Sequence, residues 1–259
     1  MEEPFEANGI HGFLHRPETA SGHGLLLTHG AGSNCRAPLL VRLARAFENA
    51  GYLVLRYDLP FRQQRPKGPP FPAAAARDRE GIARALETMT GIARGRVVAG
   101  GHSYGGRQTA MLAAARPGLP AALLLLSYPL HPPKKPENKR IGFFPDLRTP
   151  ALFVHGTADP FASLEELRDA MALIPAPTDL LPVEGAGHDL ARAADLALDV
   201  IARLEALVAP EKQAGKQIVR VCGRSSPLLL LGLFLASFAL CLQPFFAALG
   251  TLGSPLDKL

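Results

Sequence analysis

Gly101-His102-Ser103-Tyr104-Gly105 follows the apolar run Val97-Val98-Ala99-Gly100 and leads into helix-forming residues from Arg107 to Ala115. Apolar run, glycine-flanked serine and helix former in that order predict a buried strand, a sharp turn and a helix. A serine hydroxyl is a poor nucleophile at its ordinary pKa, so it needs a base beside it and a geometry that exposes its oxygen. A strained turn supplies the exposure, and glycines on either side let strand and helix backbones pass closely. The five-residue pattern alone fits a surface turn equally well. Partners elsewhere in the chain have to decide.

In the strand-turn-helix arrangement the partners follow in the order serine, acid, histidine. The apolar run Ala151-Leu152-Phe153-Val154 runs into His155-Gly156-Thr157-Ala158-Asp159-Pro160, which puts Asp159 just past a strand end. Leu180-Leu181-Pro182-Val183 runs into Glu184-Gly185-Ala186-Gly187-His188-Asp189, which places His188 similarly. Upstream, Leu25-Leu26-Leu27-Thr28 leads into His29-Gly30-Ala31-Gly32, a loop suited to offering a backbone N–H to an oxyanion. Asp189 reads as the N-cap of a helix beginning at Leu190, which leaves Asp159 as the acid that orients His188. Ser163-Leu164-Glu165-Glu166 has the form of a capping box and predicts a helix directly after the Asp159 loop.

From Gly24 onward, short consecutive apolar runs alternate with amphipathic helices, the pattern of a mostly parallel sheet covered on both faces, an α/β fold. Six strands are expected: Leu25 to Thr28, Leu53 to Tyr57, Val97 to Gly100, Ala122 to Ser127, Ala151 to His155 and Leu180 to Val183. Leu40, Leu43, Ala44 and Phe47 mark one helix face, and Ile82, Ala85, Leu86 and Met89 another. Leu164, Leu167, Met171 and the residues from Leu190 supply later ones. Gly9 to Pro17 is expected to form an edge strand or hairpin. Between Ser127 and Ala151 there is only a short proline-rich connection, so no large cap domain is expected.

Together these stretches resemble the α/β-hydrolase superfamily, on its dienelactone-hydrolase-like side. The closer similarity is to a small hydrolase-like family shared by bacteria, a testis-expressed animal protein and a subunit of an animal histone-acetyltransferase complex. It is carried by His29-Gly30-Ala31-Gly32, Arg56-Tyr57-Asp58-Leu59-Pro60-Phe61, Gly100 to Arg107, Tyr128-Pro129-Leu130-His131-Pro132-Pro133 with Lys135-Pro136-Glu137, His155 to Phe161, and Gly187-His188, spanning roughly Gly24 to Leu207. His102 departs from the arginine expected at that position in many relatives. The resemblance implies a doubly wound α/β-hydrolase fold in which Ser103 attacks a carbonyl, His188 takes and returns the proton, and Asp159 holds the imidazole. It also implies an oxyanion held by the backbone amides of Ala31 and Tyr104. The implied reaction is hydrolysis of an ester, thioester or lactone through an acyl-enzyme, without metal or cofactor, on a small acyl-containing substrate. Because the family includes complex subunits, the alternative is a noncatalytic adaptor that keeps the fold as a binding surface.

His29 and His155, before glycines at strand ends, are read as structural loop histidines rather than metal ligands, since no ligand spacing accompanies them. His29, Tyr128 and His131 are also the candidates for contact with substrate, although the prolines around Tyr128 and His131 equally suit a rigid turn. The loops Phe61 to Pro72 and His131 to Arg140 carry Arg62, Arg65, Lys67, Lys134, Lys135, Lys139 and Arg140. With a formal charge of +5 such a basic rim suits an anionic substrate or a lipid surface, but ordinary solvated charge is the preferred explanation. No nucleic-acid motif is present and no aromatic residues interleave with these charges, so direct nucleic-acid binding is not expected. Three cysteines without C-x-x-C spacing fit a reducing compartment and no disulfide.

Residues 1–208 are expected to form the α/β domain, 209–226 a basic linker, and 227–259 an apolar tail. Leu228 to Leu252 is long enough to cross a hydrocarbon core, and Lys212, Lys216, Arg220 and Arg224 on its N-terminal side would leave the domain in the cytoplasm. Gln243 and Pro244 interrupt the stretch, so a kinked span, an interfacial segment and an unrelated extension from a change of reading frame are the other readings. The first ten residues lack the pattern of a signal peptide.

Overall fold

The computed structural model describes residues 1–191 and 196–209. The chain divides into Met1–Lys212 and Gln213–Leu259. The second unit, with the expected tail and most of the expected linker, lies outside the described residues. Among the described residues no helix is long and apolar enough to cross a membrane.

Eight strands form one sheet in the order β1-β2-β4-β3-β5-β6-β7-β8. The six expected strands are β3 (Gly24–Thr28), β4 (Leu53–Tyr57), β5 (Val97–His102), β6 (Ala122–Leu126), β7 (Ala151–Gly156) and β8 (Thr178–Val183), paired in parallel. They are continuous apolar runs because both sheet faces are covered. In β3, Leu25 and Leu27 enter one core layer and Leu26 the other. All five residues of β6 are buried, and each such leucine contributes about 2 kcal/mol. A charge at Leu124 would break the sheet at its centre.

The helices α1 (Pro38–Asn49) and α6 (Leu196–Val208) cover one face, where Leu40, Phe47, Val200 and Leu204 pack on Val54, Leu124 and Val154. On the other face, α3 (Ala74–Ile92) packs Ile82 and Leu86 on Leu26, Leu55 and Ala99. There too, α4 (Tyr104–Ala115) and α5 (Leu164–Met171) pack Ala110, Ala113 and Leu167 on Leu123, Leu125 and Phe153. The connection from β6 to β7 holds only a 3-10 turn, Phe144–Asp146, and no cap domain.

Two features exceed the expected six strands. Glu2–Ala7 (β1) and Ile10–His15 (β2) make an antiparallel hairpin whose inner strand pairs antiparallel with β4. Its turn is Asn8-Gly9, with φ of 55° and 71°, a two-residue connection that matches strand twist. A short helix, α2 (Pro60–Gln64), follows β4 and buries Arg62.

Candidate active site

The first loop to build is the turn after β5. Ser103 has φ 51° and ψ −113°, a strained conformation for a residue with a side chain. Strand and helix backbones make room for it only because glycines flank it. A Cβ at Gly101 would lie 2.3 Å from the Thr28 carbonyl oxygen, and one at Gly105 would lie 2.5 Å from that of His29. Ser103 is thereby held at the first turn of α4, with its own amide donating to the Leu126 carbonyl at 2.8 Å.

The loops after β7 and β8 meet this turn. His188 Nε2 lies 2.9 Å from Ser103 Oγ, and His188 Nδ1 lies 2.8 Å from Asp159 Oδ2. The Asp159 carboxylate is sealed from solvent while the His188 side chain stays 25% exposed, so the chain of bonds runs from interior to surface. Asp159 Oδ1 accepts the Phe161 amide at 2.9 Å. Burial works to raise the Asp159 carboxyl; its bond to His188, the neighbouring imidazole and the Phe161 amide outweigh this and hold it below the usual carboxylate range. The Phe161 ring stacks on the His188 imidazole with centroids 4.2 Å apart and planes at 30°, which fixes the imidazole's tilt.

His102 also braces the histidine loop. Its Nε2 lies 2.7 Å from the His188 carbonyl oxygen, so that nitrogen carries the hydrogen and donates it. Burial keeps the His102 ring neutral by pulling its pKa down. Asp189 does not cap a helix at Leu190. Its Oδ1 accepts the Ala191 amide at 3.1 Å in a local turn, Leu190 has a positive φ of 51°, and the described helix begins at Leu196. The capping box at Ser163 and Glu166 is present and starts α5 behind the Asp159 loop.

The two residues expected to supply oxyanion amides, Tyr104 and Ala31, lie at the start of α4 and in the loop after β3. Tyr104 opens α4, and its hydroxyl is tied to buried Asp78 at 2.7 Å, whose other oxygen takes the Phe61 amide at 3.0 Å. Ala31 sits in the loop after β3, and Arg62 holds that loop. The Arg62 guanidinium donates to the carbonyls of Ser33 at 2.7 Å and of Ala31, Arg65 and Gly68 at 2.9 Å each. At 5% exposure it is a buried cation with four carbonyl acceptors and no carboxylate, and the solvated charge expected of it is thus corrected.

His29, Tyr128 and His131 are all buried. The His29 ring is sealed, donates from Nδ1 to the Gly30 carbonyl at 2.8 Å and accepts the Leu59 amide on Nε2 at 3.1 Å. Burial pushes its pKa down to about 4. The Tyr128 hydroxyl donates to the Arg140 carbonyl at 2.6 Å from a ring 1% exposed. His131 bonds the Pro132 carbonyl at 2.8 Å and reaches Glu166 at 3.4 Å, joining the loop after β6 to α5. With their polar atoms so engaged, these three brace loops, and His29 also lines a cavity with His102 and Asp189. His155 does likewise, donating to the Ala162 carbonyl at 3.1 Å. Among the described residues no three His, Cys, Asp or Glu side chains gather as a metal site, and Cys35 is a buried free thiol.

Sequence reasoning missed Arg62, Asp78, His102 and Phe161 as supports. Their residue types carry no distinguishing pattern, and only the tertiary fold buries the two charges.

Solved structures share this architecture. Est1E from Butyrivibrio proteoclasticus superposes with a TM-score of 0.64 at 16% identity, covering 81% of this chain and 99% of its own. A dienelactone hydrolase from Anabaena variabilis gives 0.59 at 21% identity over 78% and 98%. XC6422 from Xanthomonas campestris, described as an a/b serine hydrolase without lid, gives 0.65 at 16% identity over 81% and 95%. At these identities the likeness is one of fold. The profile of the alpha/beta hydrolase domain matches residues 21–209, so the chain belongs to that family.

Proposed function

We propose that the protein is a serine hydrolase that cleaves an ester-like acyl bond, in an ester, thioester or lactone, through an acyl-enzyme on Ser103. The observation that carries this is the hydrogen-bond chain from Ser103 Oγ through His188 to buried Asp159, at 2.9 and 2.8 Å. Ser103 Oγ attacks the substrate carbonyl carbon as His188 Nε2 takes its proton. Asp159 fixes the tautomer with hydrogen on Nδ1 and stabilises the imidazolium. The carbonyl π electrons move onto oxygen, and the amides of Tyr104 and Ala31 donate to it, each worth about 3 kcal/mol in the transition state. Collapse breaks the bond to the leaving group, which receives the proton from His188. Water then enters, gives a proton to His188 and attacks the acyl carbon; the same steps release the acid and restore Ser103.

The absence of a cap in the β6–β7 connection suits small, accessible substrates. The test is labelling with a fluorophosphonate probe, comparing wild type with Ser103→Ala and His188→Ala at matched folding. Labelling lost in both variants is expected. A well-folded wild type that stays unlabelled would instead favour the noncatalytic adaptor. For location, the proposal from sequence is a cytoplasmic domain of residues 1–208 tethered through Leu228 to Leu252. Fractionation of the full chain against one ending at Pro210 checks it, and equal soluble distribution of both would end it.

A further inference from the structure

A cavity of about 320 Å³ is lined by the start of α1 and by loops of the candidate site. From α1 and the residue before it come Ala37, Pro38, Leu39 and Leu40, of which Leu39 and Leu40 are buried. Three further lining residues are chain neighbours of site residues: Gly30 precedes Ala31, His102 precedes Ser103, and Asp189 follows His188. Distances bring the nucleophile to the same place. A Cβ built on Gly30 would lie 3.5 Å from the Ser103 Cβ and 2.9 Å from His102 Nδ1. Gly30 thus borders both the cavity and the Ser103 side chain.

The lining is chemically one-sided. His29 contributes to it, but both of its ring nitrogens are taken, by the Gly30 carbonyl at 2.8 Å and the Leu59 amide at 3.1 Å, and burial keeps it neutral. What it offers the cavity is ring carbon. His102 is neutral as well, with Nε2 spent on the His188 carbonyl at 2.7 Å. The charged lining residues, Arg42 and Asp189, are exposed, so water solvates them. Two leucines, an alanine, a proline and two neutral rings remain, and hydrocarbon that displaces water from such a surface binds in proportion to the area it buries. At about 30 Å³ for each water-sized group, the cavity takes about ten non-hydrogen atoms. A hexyl chain fits within that.

We infer that this cavity is the subsite for the apolar part of the substrate, a neutral hydrocarbon group of at most about ten non-hydrogen atoms. This names a substrate class for the hydrolase proposed above and rests on that reading. Two ester series test it and separate the two sides of the scissile bond. Methyl acetate, methyl butanoate and methyl hexanoate lengthen the acyl side; methyl, butyl and hexyl acetate lengthen the alcohol side. In at least one series kcat/KM of wild type rises with length, by up to about fourfold per methylene. Ala37→Phe fills the cavity from the residue before Pro38, where φ −54° and ψ 134° suit a larger side chain, and Ala37→Leu fills less of it. The ratio of kcat/KM for the longest over the shortest ester, taken within one protein, does not depend on the fraction folded. In the responding series it falls tenfold or more in Ala37→Phe and by less in Ala37→Leu. No rise with length in wild type, or ratios equal to wild type in both variants, overturns the inference. Should wild type hydrolyse no member, calorimetric titration with 1-hexanol decides without turnover. Binding that weakens tenfold in Ala37→Phe upholds the apolar subsite while the hydrolase reading fails; no binding, or equal binding by both proteins, overturns it.

Discussion

Replacing Arg62 by lysine keeps the charge and removes the fan of donors. The guanidinium spans two loops, holding Ala31 and Ser33 on one side and Arg65 and Gly68 on the other. An ammonium is a point donor that serves one of those loops at a time, so about two of the four bonds are lost. Bonds from a charged donor contribute about 1.5 to 3 kcal/mol each, and with 5% exposure solvent screens little, which gives a loss of about 3 kcal/mol. For a domain of this size that lowers Tm by about 6 to 12 °C. The catalytic effect is separate. In the proposed mechanism, loosening the Ala31 loop weakens one oxyanion donor, whose complete removal costs about 10²- to 10³-fold in kcat. Arg62→Lys is therefore expected to lose about 10- to 100-fold in kcat with phenyl acetate while KM changes less than threefold. Thermal denaturation and initial rates below the transition measure the two effects independently. A folded Arg62→Lys protein with Tm within 2 °C of wild type, or with kcat within about threefold, would refute the reasoning.

Asp159→Asn removes the acceptor that fixes the His188 tautomer, and kcat for an activated ester should fall by about 10⁴-fold with little change in Tm; a loss below tenfold would sink the assigned role. His29 is held neutral in the fold at about 4, below its unfolded value near 6.5. Its stabilising effect is thus complete above 6.5 and lost as pH falls toward 4, on the order of 3 kcal/mol. Denaturant titrations between pH 7 and 4 should show that slope in wild type and a flatter one in His29→Gln. Gly105→Ala would press a Cβ to within 2.5 Å of the His29 carbonyl oxygen, so it should destabilise by about 2 kcal/mol and slow fluorophosphonate labelling. Ser163→Ala breaks the capping box with Glu166 and should cost about 1 kcal/mol in urea denaturation.

The parallel core was legible because burial on both faces writes itself as unbroken apolar runs. Leu25 to Leu27 and Leu123 to Leu126 have no other stable place. The hairpin was only half legible. Asn8-Gly9 is a strong turn signal, yet β1 reads Glu-Glu-Pro-Phe-Glu-Ala, and an edge strand half exposed to water has little apolar pattern to show. The helix expected from Leu190 failed for a local reason. An aspartate before apolar residues suits an N-cap and a tight turn alike, and Leu190 with φ 51° takes the turn.

The site divides along the same physical line. Ser103, Asp159 and His188, which the structure joins by hydrogen bonds, were legible because each follows a buried strand, and strands leave a pattern. Arg62 was not legible as a loop brace, because a basic loop that wraps carbonyls reads the same as one that faces water. What separates the two readings is partner choice. Arg62 has four acceptors within 2.9 Å, which satisfy a buried cation internally and make it a brace. A buried arginine whose donors are satisfied in this way stabilises the loops it spans. The charge expected to be solvated therefore serves structure, and the Arg62→Lys melting and kinetics measure how much of the loop geometry rests on it.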